Sequence, residues 1–232
     1  MIISGHRGAM DIAPENTLLS IQKALQSGVD MVEIDISLCK SGEVVLMHDD
    51  KVDRTTDGRG YVSDWDFSEL RKLNAGKGEP VPSLREVIDL IDGQCPLNIE
   101  IKGRGSASEV SKLLKEYISS GRREEDDFVV SSFDHPELRR FHLLYPEIRI
   151  SSIVCCHPLS FDSIAGELPI WSLNMKREFV SPEIVQEAHK RGALLQVFTV
   201  NKPEELERME EMGVDGVFTN DRYTLMGLEL PR

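Results

Sequence analysis

The stretch MVEIDISL, Met31–Leu38, places two acidic residues inside an apolar run. In an extended chain Val32, Ile34 and Ile36 share one face, and Glu33 and Asp35 share the other. NIEIK, from Asn98 to Lys102, repeats the pattern: Ile99 and Ile101 lie on one face, and Asn98, Glu100 and Lys102 on the other. Strands of a parallel sheet are normally covered on both faces and read as continuous apolar runs. These two break that rule in the same way. The β-branched residues demand burial, which disfavours exposed carboxylates on edge strands. The apolar faces are therefore expected under helices, and the charged faces inside a closed barrel.

The rest of the chain supports closure. FVVSS, IRISSIV, IWSLN, LLQVFTVN and DGVFT read as further strands, with MII as the first. Helical patterns separate them, among them SLREVIDLI, ASEVSKLLKEYI, HPELRRFHLLY, SPEIVQEAHKRG and KPEELERMEEMG. Leu18, Ile21 and Leu25 mark the first helix, with Asn16 expected as its N-cap and Gly28 as its stop. Strands alternating with helices imply parallel pairing through crossovers. The fold class is therefore α/β, a (β/α)8 TIM barrel, and 232 residues suit one such domain over 1–232. A doubly wound sheet is the runner-up, but no G-x-G-x-x-G turn follows the first strand.

EVVLMH reads as a hairpin excursion after the second strand, which leaves MVEIDISL and NIEIK as consecutive barrel strands. The polar, glycine-rich segment 49–82 follows it and is expected to pass over the C-terminal rim, partly ordered. Trp65 and Phe67 are too apolar for a wholly solvated loop. Either they cap the cleft and restrict substrate size, or they bury themselves locally.

With 40% hydrophobic residues the chain can fill a sizeable core, and a formal charge of -13 argues against nucleic acid as a partner. No run approaches a membrane span. MIIS carries neither a basic segment nor a long apolar one, so no signal peptide is expected. Cys39, Cys95, Cys155 and Cys156 form no C-x-x-C pair and are expected as reduced thiols of a cytoplasmic protein.

Same-face neighbours on a strand lie about 6.6 Å apart, and adjacent strands about 4.8 Å. Glu33, Asp35 and Glu100 are thus expected to converge. Three such carboxylates raise one another's pKa, and a bound cation removes the repulsion. Oxygen ligands favour a hard divalent ion, Mg2+, Ca2+ or Mn2+, over zinc. His6 and Arg7 sit at the end of the first strand, and His48 ends the EVVLM run on the same side. Active sites of these barrels occupy that rim. His6 and His48 are candidates for general acid and base. Arg7 and Lys102 supply fixed positive charge suited to phosphate oxygens, and with the cation they leave a small net positive charge for a phosphodiester anion. His135, His142 and His189 fit structural or surface roles, whereas His157 is placed to reach the rim.

These residues resemble the glycerophosphodiester phosphodiesterases. HRG with APENT, VEIDISL, HDD followed by DRTTDGRG, EIK, FTVN and GVDGVFTN occur in order from residue 5 to about 221. The resemblance implies a TIM barrel that hydrolyses glycerophosphodiesters to glycerol 3-phosphate and an alcohol with one divalent metal. It implies Glu33, Asp35 and Glu100 as metal ligands, His6 and His48 as the acid–base pair, and Arg7 and Lys102 at the phosphate. It also places Phe198 against the glycerol, where the family usually has Trp, so the indole N–H donor is lost. The last strand departs too, with Thr219, Asn220, Asp221 and Arg222 where the family often has Thr-Asp and a nearby Pro. The expected partner is a small glycerophosphodiester, and a homo-oligomer is compatible with this reading. The alternatives are a phospholipase-type lipid phosphodiesterase on the same barrel, and a non-catalytic module that binds phosphodiesters.

Overall fold

The computed structural model describes residues 1–158, 161, 166 and 168–229, so the end of the CCHPLS loop and the last three residues lie outside the description. The strands are β1 (Ile2–Gly5), β2 (Met31–Leu38), β3 (Val44–Leu46), β4 (Leu97–Ile101), β5 (Phe128–Ser132), β6 (Arg149–Val154), β7 (Ser172–Lys176), β8 (Leu194–Phe198) and β9 (Gly216–Thr219). All except β3 pair in parallel, in the order β1-β9-β8-β7-β6-β5-β4-β2, and β2 pairs back with β1. The sheet is therefore the closed (β/α)8 barrel that the alternation predicts. β3 is the hairpin, antiparallel to β2 with Ile36 opposite Leu46. β2 and β4 are neighbours in the barrel, with Asp35 directly opposite Glu100.

The described helices are α1 (Leu18–Ser27), α2 (Phe67–Leu70), α3 (Leu84–Ile91), α4 (Ser106–Ser119), α5 (His135–Leu144), α6 (Pro182–Lys190), α7 (Pro203–Glu211) and α8 (Arg222–Leu225). Their apolar faces cover the outward faces of the strands. Val32, Ile34, Ile36 and Ile99 are fully buried beneath them, each contributing roughly 1.5–3 kcal/mol of burial energy. α3 shows how locally its start is set: Ser83 Oγ accepts from the Glu86 N–H, and the Glu86 carboxylate accepts from the Ser83 N–H at 2.9 Å. This reciprocal cap satisfies two donors that a helix start leaves free.

The cap of α1 differs from expectation. Thr17 caps it, accepting from the Ser20 N–H, and Gly28 closes it in the left-handed conformation. Asn16 instead takes φ 55° and points to β2. An Asn side chain can brace a helix start or a neighbouring strand, and here the buried carboxylate of Asp35 is the stronger acceptor.

Segment 49–82 is ordered by its own apolar cluster. Val45, Met47, Val52, Val62, Leu70, Ala75 and Val81 are buried together, with Trp65, Phe67 and Leu73 packed against them. Bridges between Lys51 and Tyr61 and between Asn74 and Pro80 fold the segment back on itself. Trp65 and Phe67, both half-buried, thus pack onto this local cluster.

Candidate active site

β1 ends in the turn His6-Arg7-Gly8. Arg7 has φ 52° and Gly8 φ 83°, so the chain coils left-handed here. A Cβ on Gly8 would lie 2.6 Å from the Ser20 carbonyl carbon, which leaves glycine as the residue that fits. The coil aims the Arg7 N–H at Glu33 Oε2, 2.8 Å away. It also turns the His6 ring and the Arg7 guanidinium into the barrel mouth.

Glu33, Asp35 and Glu100 converge there, each offering an oxygen within 4.8 Å of the others. All three are buried. Burial, and then the Asp35 and Glu100 charges, push Glu33 well above the usual carboxylate range. Burial and the Asp35 charge raise Glu100 to about 7. Two cations hold the cluster. Arg7 Nε lies 3.2 Å from Asp35 Oδ2, and Lys102 Nζ lies 2.7 Å from Glu100 Oε1 and 3.5 Å from Asp35 Oδ1. The donor set fits a hard divalent cation: it is oxygen only, and Glu33 Oε1 is buried without a protein partner. Asn16 braces the set from behind, donating from Nδ2 to Asp35 Oδ2 at 2.9 Å.

The two imidazoles are held differently. His6 Nδ1 lies 2.8 Å from Asn220 Oδ1, and the Asn220 amide donates to Asp11, so Nδ1 carries the hydrogen and Nε2 is free to accept one. Burial, with Arg7 beside it, lowers the His6 pKa, which favours the neutral ring. His48 Nδ1 lies 2.6 Å from Asp49 Oδ1. Arg54 first, and His48 with it, hold the Asp49 carboxyl well below its ordinary range, so it accepts and His48 donates from Nδ1.

A cleft with about 190 Å³ of space is lined by His6, Arg7, Glu33, His48, Glu100, Lys102 and Phe198, seven of the eight site residues expected from sequence. Asp35, the eighth, sits behind them. Phe133, Ile153 and Phe218 complete an apolar wall with Phe198, and the Phe133 and Phe198 rings meet edge-on at 6.0 Å. Trp65 and Phe67 are not among the lining residues. Neither is His157, which is exposed and packs edge-on against Phe179. His135 begins α5 and contacts the Ile153 carbonyl, His142 lies within the same helix, and His189 pairs with Asp215.

Sequence reasoning missed the polar interior beneath the cleft. Ser172 Oγ donates within a cluster with Ser151 and Asn174, and Gln196 Nε2 donates to Ser172 at 3.1 Å. The signal was present in FVVSS and RISSIV, where serine replaces an apolar residue inside a barrel strand. It also missed Phe133, Asn220 and the acidic partners Glu15 and Asp49.

An acidic floor flanked by fixed cations at the C-terminal mouth of a parallel barrel suits an enzyme that acts on a phosphate ester. Residues 6–223 match the model of the glycerophosphoryl diester phosphodiesterase family, and the chain belongs to that family. Glycerophosphodiester hydrolysis is the activity this membership carries. The chain is 35% identical over 240 residues to a glycerophosphodiester phosphodiesterase of Caldanaerobacter subterraneus subsp. tengcongensis, covering 98% of this chain and 97% of that one. It is 32% identical over 230 residues to one from Bacillus altitudinis, covering 94% of each. Among solved structures, a phosphodiesterase from Oleispira antarctica in complex with the product sn-glycerol-3-phosphate is similar at TM-score 0.90 and 29% identity, over 98% of this chain and 96% of that one.

Proposed function

We propose that this chain cleaves glycerophosphodiesters to glycerol 3-phosphate and an alcohol, with a divalent cation held by Glu33, Asp35 and Glu100 and with His6 and His48 moving the protons. The observation that carries this reading is the convergence of three buried carboxylates within 4.8 Å, in a cleft that both histidines line. The similar phosphodiesterase from Oleispira antarctica, solved with its product sn-glycerol-3-phosphate, supports a glycerol phosphate as the product here.

Arg7 and Lys102 orient the phosphate. Arg7 suits two oxygens at once and Lys102 acts as a point charge. His6, kept neutral by burial and by Arg7, accepts the proton of the attacking hydroxyl at Nε2. That hydroxyl belongs to water or to the substrate's own glycerol. His48 presents Nε2 while Asp49 holds Nδ1, and it gives a proton to the leaving alkoxide. Glu33, Asp35 and Glu100 would hold a divalent cation, which would supply Lewis-acid polarisation of the phosphate. Phe198 and Phe133 offer the glycerol carbons an apolar wall. Mg2+, Ca2+ and Mn2+ all suit the oxygen donors.

No helix among the described residues is long and apolar enough to cross a membrane. Four free cysteines suit a reducing compartment, and we place the protein in the cytoplasm on that ground.

The test is a panel of glycerophosphodiesters and lysophospholipids assayed after chelation and after addition of each metal. Turnover of the small diesters restored by one or more of the metals is expected. Full turnover in excess chelator would overturn the metal assignment. Preference for the lysophospholipids would favour the lipid reading.

A further inference from the structure

Arg54 lies on segment 49–82 and is not among the residues that line the cleft. Its guanidinium nonetheless makes four short contacts toward it. Nε donates to Asp49 Oδ2 at 2.7 Å and Nη2 to Asp49 Oδ1 at 3.2 Å. Nη1 donates to Glu15 Oε2 at 2.7 Å and Nη2 to Glu15 Oε1 at 2.8 Å. Each carboxylate also serves a residue of the cleft. Asp49 Oδ1 accepts from His48 Nδ1 at 2.6 Å, and Glu15 Oε1 accepts from Arg7 Nη1 at 2.7 Å. An unbroken string of alternating charge thus runs from the imidazole, through Asp49, Arg54 and Glu15, to the phosphate-side guanidinium.

The string needs its central member. Asp49 and Glu15 are two anions drawn to one site, and only a fork can bind both carboxylates at once. Without it, Asp49 is free to turn, and His48 loses the fixed partner that aims Nε2. Glu15 keeps a single cation, Arg7, and competes with the substrate phosphate for it. The fork is itself braced. Val52 is buried in the local apolar cluster, its N–H donates to the Gly60 carbonyl at 3.0 Å, and Asp53 accepts from the Gly60 N–H at 2.8 Å. Segment 49–82 thus holds a bidentate cation beside the cleft without entering it.

We infer that Arg54 is a positioning residue that sets His48 through Asp49 and Arg7 through Glu15, and so ties the grip on phosphate to proton transfer. This rests on the roles proposed for His48 and Arg7. It predicts a division of effect that a merely structural residue would not produce. Asp49→Asn lowers kcat and leaves KM near the wild type. Glu15→Gln raises KM more than it lowers kcat. Arg54→Gln does both, with kcat/KM down roughly 10- to 100-fold, the scale of misplaced reacting groups. Arg54→Lys does not rescue, because an ammonium cannot fork across two carboxylates.

The experiment measures kcat and KM for glycerophosphocholine in these variants, in the double variant Arg54→Gln with Asp49→Asn, and in His48→Ala. Thermal unfolding and Mn2+ affinity are measured in parallel. The expected result is this division between kcat and KM, a double variant with kcat no lower than Arg54→Gln alone, and Mn2+ affinity within about threefold of wild type. Wild-type kcat and KM in Arg54→Gln, full rescue by Arg54→Lys, or effects of Arg54 and Asp49 that multiply would overturn the inference. Should Arg54→Gln fail to fold, Arg54→Lys keeps the charge and decides alone. Wild-type kcat in His48→Ala would instead remove the underlying role of His48, an outcome separate from any result at Arg54.

Discussion

Asn16 grips Asp35 from both ends. Its amide donates to Asp35 Oδ2 at 2.9 Å, and its carbonyl oxygen accepts the Asp35 backbone N–H at 3.1 Å. A buried carboxylate so held keeps one orientation, which fixes where its other oxygen points. Asn16→Ala should weaken divalent metal binding about 10- to 100-fold, the usual cost of losing an outer hydrogen bond to a ligand. Calorimetric titration of the chelated protein with Mn2+ checks this.

A divalent cation at the proposed site would compete with protons for the same oxygens. Glu100 is raised to about 7 without a cation, so between about 4.5 and 7 the folded protein holds a proton that the unfolded chain has released. Its contribution to stability therefore falls as pH rises through that window. A divalent cation should restore stability most where the carboxylates are ionised. The gain in Tm on adding Mg2+ or Mn2+ to chelated protein should be larger at pH 8 than at pH 5.5. Glu33→Gln and Glu100→Gln should shrink it.

His6→Ala and His48→Ala should each lower kcat by roughly 10²-fold or more. The losses should not multiply in the double variant if both rings serve one step. Single-turnover kinetics at saturating metal measure this without interference from product release.

Burial works against the Glu15 charge, but Arg54 and Arg7 outweigh it and bring the carboxyl down to about 2. Its stabilising contribution is complete above its unfolded value near 4.5 and is lost as pH falls toward about 2. Replacing it by Gln should flatten the acid side of the stability profile. Thermal unfolding between pH 5 and pH 2 reports the difference from wild type.

Leu70 is fully buried in the cluster of segment 49–82. Truncation to Ala should destabilise that segment by about 2–5 kcal/mol. Hydrogen exchange should show the loss first at 49–82, while the strands β4 to β8 keep their protection.

Much of this architecture was legible because parallel strands leave few ways to place a charge. Glu33, Asp35 and Glu100 sit in runs whose other residues must be buried, so their direction followed from the two-residue period. Asn16 was misread because an Asn ahead of a helix gives the same local signal whether it caps that helix or braces a strand far along the chain. The second role depends on Asp35, which only the closed barrel brings near. Trp65 and Phe67 follow no period, so their packing onto the local cluster was open until the surroundings of Leu70 were seen. Arg54 was hidden for a related reason: its two partners lie 5 and 39 residues away, and neither distance is a repeat of any regular element.

The strand order has a consequence for how this enzyme's properties divide. Every candidate metal, proton-transfer and phosphate residue lies at or before Lys102, whereas the apolar wall of the cleft, Phe133, Ile153, Phe198 and Phe218, comes wholly from strands and loops C-terminal to it. The candidate reaction residues and the apolar wall thus occupy separate arcs of one cylinder, β1, β2 and β4 against β5 to β9. They meet at two seams, β4 against β5 and β9 against β1, and at the second the amide of Asn220 reaches across to His6. A chimera that keeps residues 1–102 and takes its remaining strands from a relative would exchange the wall while leaving the chemistry in place. Such a graft must respect the side-chain contacts across the seams: Asn220 to His6 and to Asp11, Arg222 to the Ser27 carbonyl, and Lys102 over the Phe133 ring.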